Sequence, residues 1–413
     1  MESEGYRYVI IGGGLAGASA AEGIREVDPN GSVVIIGQED RHPYHRPPVS
    51  KGILLGGKKP EDTFCKPAEF YEENKIELET GVSGRNLDPA ERTVALSDGR
   101  VLSYERLLLA TGSRARTLPL PGADLKGIFT LRTLDDALTL VTAMRDARNA
   151  AVIGGSYIGA ETASALAQNG IQTTMIFPES RLLEGLTDKD FGGYLRSLYD
   201  RNRVKILAHR KPVRFQGEGR VGSVLTDGQE EIPADLVVTG VGAELNTGLA
   251  RDAGIMMTQD GGVCADALLQ SSQEHIFVAG DIAEYPDPTF EKRLRLEHWE
   301  AALLQGKTAG RNMAGAGEPY TALPHYFSTL FECGFSVWGD FSQWDQTLLK
   351  GEMGLSGTSI FYLEKGRLCG ILQFEPVEKE EAEKIERLVR KRPSLREIEA
   401  LVQGEGASLR DSV

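Results

Sequence analysis

Apolar residues in this chain come in short continuous blocks, and several of the blocks run straight into glycine. Tyr8-Val9-Ile10-Ile11 leads into Gly12-Gly13-Gly14 and then into the alanine-rich stretch Leu15–Ala21. A continuous apolar block bounded by turn residues predicts a strand buried on both faces, as in a parallel sheet. The glycines predict a tight turn and the alanines a helix. Val33-Val34-Ile35-Ile36 supplies the next strand and closes a βαβ unit. The pattern then returns: Ala151-Val152-Ile153, Gly154-Gly155-Ser156, a helix start at Tyr157-Ile158-Gly159-Ala160-Glu161, and the strand Thr173–Phe177. Other apolar blocks end at Ala110-Thr111-Gly112, Gly240-Val241-Gly242 and Ala279-Gly280-Asp281.

Between these blocks the pattern is mixed. Residues 76–110 read as β-rich, with a hairpin signal at Asp98-Gly99. Pro47 and Pro48 predict extended chain, with Ser50 opening or capping a helix after them. Pro119, Pro121 and Gly122 mark a linker. Leu303–Met313 reads as a helix. From about residue 320 short strands take over, including Thr358–Leu363 and Leu368–Leu372. The charged amphipathic helix Glu378–Arg390 and a helix at Leu395–Val402 follow, and the last residues read as frayed.

The glycine spacing carries chemistry. Gly12, Gly14 and Gly17 fit G-x-G-x-x-G in a strand–turn–helix context, which predicts a dinucleotide site. In that pattern the first glycine makes the turn, the second lets the backbone approach a pyrophosphate, and the third lets helix and strand pack closely. The helix N-terminus presents free N–H groups to the phosphates. Glu39, just past the second strand, suits a ribose diol. The second copy is imperfect. Ser156 stands where the phosphate-approach glycine belongs, and Phe177 stands where the ribose acid is usual. Glu179 and Arg181 follow it. Glu179 suits a ribose diol and NADH, whereas Arg181 suits a 2′-phosphate and NADPH; the reading leans to NADH.

A formal net charge of −14 over 413 residues argues against a nucleic-acid partner, which needs a basic face. The length predicts about two or three domains. The polar, acidic start shows no export-signal pattern and no apolar run spans a bilayer, so the expectation is a cytoplasmic protein without a membrane span. Cys65, Cys264, Cys333 and Cys369 are scattered, without metal-ligand spacing, and are expected to be reduced.

Taken in order, the first glycine loop, Arg46-Pro47-Pro48-Val49-Ser50-Lys51, Ala110-Thr111-Gly112, the second loop with Glu161, Gly240-Val241-Gly242 and Ala279-Gly280-Asp281 resemble one family across nearly the whole chain. It is that of the FAD-dependent pyridine nucleotide reductases, in the branch of ferredoxin reductases, monodehydroascorbate reductase and apoptosis-inducing factor. The resemblance implies an α/β fold with two Rossmann-like dinucleotide-binding domains and a small C-terminal α+β domain. The FAD domain would comprise residues 1–122 and 244–320, the nicotinamide domain 123–243 and the C-terminal domain 321–413.

It also implies roles. Gly12, Gly14, Ala16 and Gly17 would hold the FAD pyrophosphate, Gln38 and Glu39 the adenosine ribose, and Val82 the adenine. Arg46, Lys51, Ala110, Thr111, Gly112 and Arg132 would line the flavin cofactor, Asp281 its ribityl–phosphate region, and Glu297, His298 and Trp299 its other edge. Trp299 suits core packing equally well. NADH, or NADPH, would take Gly154, Gly155, Ser156, Tyr157, Ile158, Gly159, Glu161, Glu179 and Gly242. Lys51 paired with Glu161 would be the catalytic couple. No metal is implied. The Arg-Pro-Pro-Val-Ser-Lys segment holds no cysteine, whereas disulfide-reducing relatives carry theirs there, so electrons would leave the flavin directly for an external one-electron acceptor. A ferredoxin is the leading acceptor; a monodehydroascorbate- or quinone-like molecule, or an apoptosis-inducing-factor-like sensing role, are the alternatives. The expected assembly is a monomer or homodimer. Pro324-His325-Tyr326-Phe327-Ser328 resembles the aromatic segment with which relatives approach the flavin, and Tyr326 and Phe327 serve equally as core. Lys292, Arg293 and Arg295 read either as a docking patch for an acidic carrier or as a solvated strand face.

Overall fold

The structure is a computed structural model that describes residues 4–403. The frayed tail expected after Val402 lies almost wholly outside the described residues. The chain groups into two compact units. Among the described residues, one comprises 4–45, 61–114 and 244–324, the other 46–60, 115–243 and 325–403.

The first unit is built on a mixed sheet. Its strand order is Ile76–Thr80, Val33–Gly37, Glu4–Ile11, Val101–Leu109, Thr93–Leu96, Gly84–Asp88. Val101–Leu109 changes partners along its length: its start pairs antiparallel with Thr93–Leu96, and its end pairs parallel with Ile276–Val278. The Asp98-Gly99 hairpin is therefore present. Register does the positioning. Ile11 lies beside Ile36 and Leu109, and Leu109 beside Val278, so four parallel strands stop at one level. The residues that follow them emerge together at the sheet's carboxyl edge, where open α/β sheets take ligands. Helices Leu15–Val27 and Trp299–Met313 cross at backbone contact, since a Cβ on Gly306 or Gly310 would lie 2.2 Å from the Ala16 oxygen or 2.0 Å from the Ala20 oxygen.

The second unit repeats the plan. Its parallel sheet runs Lys205–Leu207, Gln172–Ile176, Asn149–Ile153, Leu236–Thr239, Ile128–Thr130. Ile153 lies beside Ile176 and Thr239, and Thr239 beside Thr130, so again one edge gathers the following turns. An antiparallel three-stranded sheet, Pro212–Gln216, Ser223–Thr226 and Glu231–Pro233, belongs to this unit. So does an antiparallel five-stranded sheet in the order His325–Leu330, Cys333–Gly339, Arg367–Phe374, Ser359–Glu364, Gln346–Lys350. Helices Lys379–Lys391 and Leu395–Gln403 follow it.

One local expectation is corrected. Pro47 and Pro48 do not hold the chain extended; Pro47–Ser50 is a 3₁₀ turn with proline at its first positions, and Ser50 ends it. Proline is tolerated there because its missing N–H would have had no helical partner. Lys51 follows directly, and its N–H donates to the Pro48 carbonyl at 3.2 Å.

Candidate functional site

The carboxyl edge of the first unit assembles what the sequence scattered. Gly12 has φ +138°, and a Cβ there would meet the Ala110 carbonyl oxygen at 2.0 Å, which ties the glycine loop to the Ala110-Thr111-Gly112 turn. A Cβ on Gly17 would lie 2.0 Å from the Gly12 oxygen. Gly14 differs: nothing lies within 4 Å of the place its Cβ would take. It opens the helix Leu15–Val27, and no side chain caps that N-terminus. An open cradle beside uncapped N–H groups fits a pyrophosphate. Gln38 is exposed and Glu39 half-buried at the end of the next strand, where Tyr44 Oη donates to Glu39 Oε2 at 2.6 Å. Val82 joins the same corner, its N–H bonded to the Gly37 carbonyl at 3.0 Å.

Three side chains hold the turn that bears Asp281. Ser113 Oγ donates to Asp281 Oδ2 at 2.6 Å. The Gly280 N–H donates to Oε1 of the fully buried Gln305 at 2.9 Å. Arg295 reaches the Asp281 carbonyl at 3.0 Å and Glu297 Oε1 at 2.6 Å. Sequence reasoning named none of the three in this role, although Ser113 directly follows the Ala-Thr-Gly motif. His298 is the N-cap of the helix Trp299–Met313, and Trp299 Nε1 donates to His45 Nδ1 at 3.0 Å. Arg293 lies across its own strand pair, donating to the Ala265 carbonyl at 2.8 Å and pairing with Glu284 at 3.2 Å. These arginines brace their own unit, which disfavours the docking-patch reading.

In the second unit, Gly154 has φ +118° and its Cβ would lie 2.2 Å from the Gly240 oxygen. Ser156 is exposed and caps nothing with its side chain. Tyr157 and Ile158 open the helix Tyr157–Gln168 beside it, and Tyr157 Oη bonds Tyr326 Oη at 3.1 Å. Phe177 is fully buried, and a Cβ on Gly155 would come within 2.9 Å of its ring. The expected acid is absent because this position plugs the space beneath the loop. Glu179 is exposed on the same edge, and Gly242, with φ +105°, faces open space. Arg181 turns away: its Nε donates to the Thr187 carbonyl at 2.8 Å, and a terminal nitrogen reaches Ser180 Oγ at 3.3 Å.

The charged centre of this unit is Glu161, which is 8% exposed. Lys51 Nζ approaches its Oε1 at 2.9 Å. Ser50 Oγ donates to Oε2 at 2.5 Å and Ser328 Oγ to Oε1 at 2.7 Å. The Lys51 ammonium lies 5.4 Å from the centre of the Phe327 ring, within cation–π range. The Glu161 helix also grips the lysine segment at its far end, where Asn169 Nδ2 donates to the Leu54 carbonyl at 3.1 Å. Arg46 is turned to the Arg132 carbonyl at 2.7 Å, at the start of the helix Leu134–Met144. The structure thus joins Lys51 to Glu161 as expected and adds Ser50 and Ser328. Ser50 had its signal in adjacency to Lys51; Ser328 had none beyond its place after two aromatics.

None of the four cysteines forms a disulfide. Burial pushes the Cys333 thiol up to about 12, so it stays protonated and inert. Among the described residues no cluster of three or more His, Cys, Asp or Glu is placed to hold a metal ion, and no helix is long and apolar enough to cross a membrane.

Residues 6–306 match the pyridine nucleotide-disulphide oxidoreductase family. The chain belongs to that family. It is 32% identical, over 86% of its length and 87% of the relative's, to the ferredoxin–NAD(+) reductase component of the anthranilate 1,2-dioxygenase system of Burkholderia cepacia. A peroxisomal monodehydroascorbate reductase of Oryza sativa is 32% identical over 95% of this chain and 87% of its own. The solved structure of a ferredoxin reductase from Rhodopseudomonas palustris superposes with a TM-score of 0.91 at 26% identity, covering 98% of this chain and 99% of that one.

Proposed function

We propose that this chain accepts hydride from NADH on a bound FAD and passes the electrons singly to an external acceptor, a small iron–sulfur ferredoxin, without a redox disulfide. The carrying observation is the Lys51–Glu161 pair beside the second glycine loop, its carboxylate buried and its lysine in a segment, residues 46–51, that holds no cysteine. When bound, the flavin supplies the hydride acceptance and the one-electron release. The protein binds and orients. Gly12, Gly14, Ala16 and Gly17 form the pyrophosphate cradle, Glu39 and Val82 face the adenosine, and Asp281 takes the ribityl–phosphate region. Gly154 to Gly159, with Gly242, receive the NADH. The Lys51 ammonium would stabilise negative charge on a bound flavin, and Glu161 keeps it aimed. Exposed Glu179 suits the ribose diol, and Arg181 is engaged with its own loop, which supports NADH over NADPH.

Stopped-flow mixing with NADH tests the reading: flavin absorbance should bleach within a turnover, and a flavin that stays oxidised overturns it. Lys51→Ala should slow that bleaching about a hundredfold while weakening NADH binding far less. The rice relative favours one rival, reduction of a small radical or quinone. Turnover with a ferredoxin panel against small acceptors separates the two, and faster turnover with small acceptors favours the rival.

A further inference from the structure

Glu161 draws its donors from two separate stretches of chain. Lys51 and Ser50 come from the 3₁₀ turn and its exit, and Ser328 from the strand His325–Leu330. Both serines are buried, at 3% and 0% exposure. Their hydroxyls meet opposite oxygens: Ser50 reaches Oε2, while Ser328 joins Lys51 at Oε1. One helical turn on, Ser164 Oγ accepts the N–H of Phe331, the residue just past the strand, at 2.9 Å, so the strand and its exit are both pinned to the same helix face. The terminal torsion of a glutamate is broad, and an ammonium alone leaves it free to turn. Directed hydroxyls on both oxygens remove that freedom, and bonds to an ionised carboxylate are the strong kind.

We infer that Ser328, together with Ser50, is a positioning residue for hydride transfer: it locks the Glu161 carboxylate so that the Lys51 ammonium keeps one direction. The inference rests on the role proposed above for Lys51. It makes the C-terminal sheet a contributor to the reductive step, through a residue 167 positions from its partner.

The test uses the FAD-loaded protein. Ser328→Ala should slow single-turnover flavin reduction about tenfold at saturating NADH and leave the NADH dissociation constant within about twofold. In a Glu161→Gln background the same change should have less than about a twofold effect, because its route through the carboxylate is gone. Ser50→Ala should behave likewise from the other oxygen. In the resting oxidised protein, the nitrogen-NMR signal of the Lys51 ammonium should be sharp in the parent and broadened in Ser328→Ala. Equal slowing in both backgrounds, an unslowed Ser328→Ala, or an unchanged ammonium signal overturns the inference. A parent protein whose flavin NADH does not reduce overturns the reductase reading instead, and the ammonium signal still decides the positioning.

Discussion

Gly14 and Ser156 stand at matching places in the two loops with nearly the same backbone, φ/ψ −94°/−170° and −88°/−174°. Neither conformation requires glycine, so the serine costs the second loop no strain. What glycine gives at Gly14 is room. Gly14→Val should therefore leave the melting temperature of the FAD-free protein nearly unchanged while weakening FAD binding by tenfold or more, read by fluorescence titration. Gly12→Ala should do the opposite first. It puts a Cβ 2.0 Å from the Ala110 oxygen at φ +138°, at a cost of about 2 kcal/mol or more in thermal unfolding. Equal stability losses in the two variants would refute the distinction. The glycine spacing made both jobs, turn and cradle, readable in the sequence; the Ala110 carbonyl that stands against Gly12 was not, because only the tertiary fold brings that backbone opposite its Cα.

His275 belongs to the same scale. Arg92 approaches its Nε2 at 2.5 Å and Arg106 its Nδ1 at 2.7 Å. Burial first, then the two guanidiniums, hold the imidazole below its ordinary value of 6.5. In the pH range beneath 6.5 the unfolded chain then binds more protons than the folded one, so stability falls as pH drops through that value toward the folded one. His275→Asn should flatten this acid slope in pH-dependent thermal melts, and an unchanged slope would exclude His275 as its source.

At the scale of elements, the continuous apolar blocks were legible because strands buried on both faces leave no choice of residue. Asn149–Ile153, Leu236–Thr239 and Ile276–Val278 fall close to where the blocks place them. The helix Lys189–Arg201 is harder to see, since its buried Phe191, Leu195, Leu198 and Tyr199 show only as a helical period among charges. The 3₁₀ turn at Pro47–Ser50 escaped because proline's rule against helices spares the first turn. Phe177 shows how packing can replace chemistry at a motif position. Phe177→Ala should cost about 3–5 kcal/mol in denaturant unfolding, because the ring is fully buried against the glycine loop. A loss under about 1 kcal/mol would mean that the loop does not rest on it.

For the whole molecule, the candidate site divides by sequence distance. Lys51 and Glu161 were legible from motifs, since each sits in a short recognisable string. Ser328, Gln305 and Arg295 were not, because each acts on a residue that only the tertiary fold brings near. The proposed route takes electrons from the flavin without a thiol. Cys333 and Cys369 are buried, Cys65 and Cys264 half-buried, and none forms a disulfide. A relay through sulfur needs a reactive thiolate that forms and breaks a disulfide beside the flavin. Burial keeps Cys333 protonated well above neutral pH. Replacing all four by serine or alanine should thus preserve both flavin reduction by NADH and delivery of electrons to a one-electron acceptor. Intact flavin reduction with lost delivery would instead reveal a thiol relay. That outcome would reject direct electron exit while leaving the Lys51–Glu161 pair its part in the reductive step, because the two half-reactions are read separately.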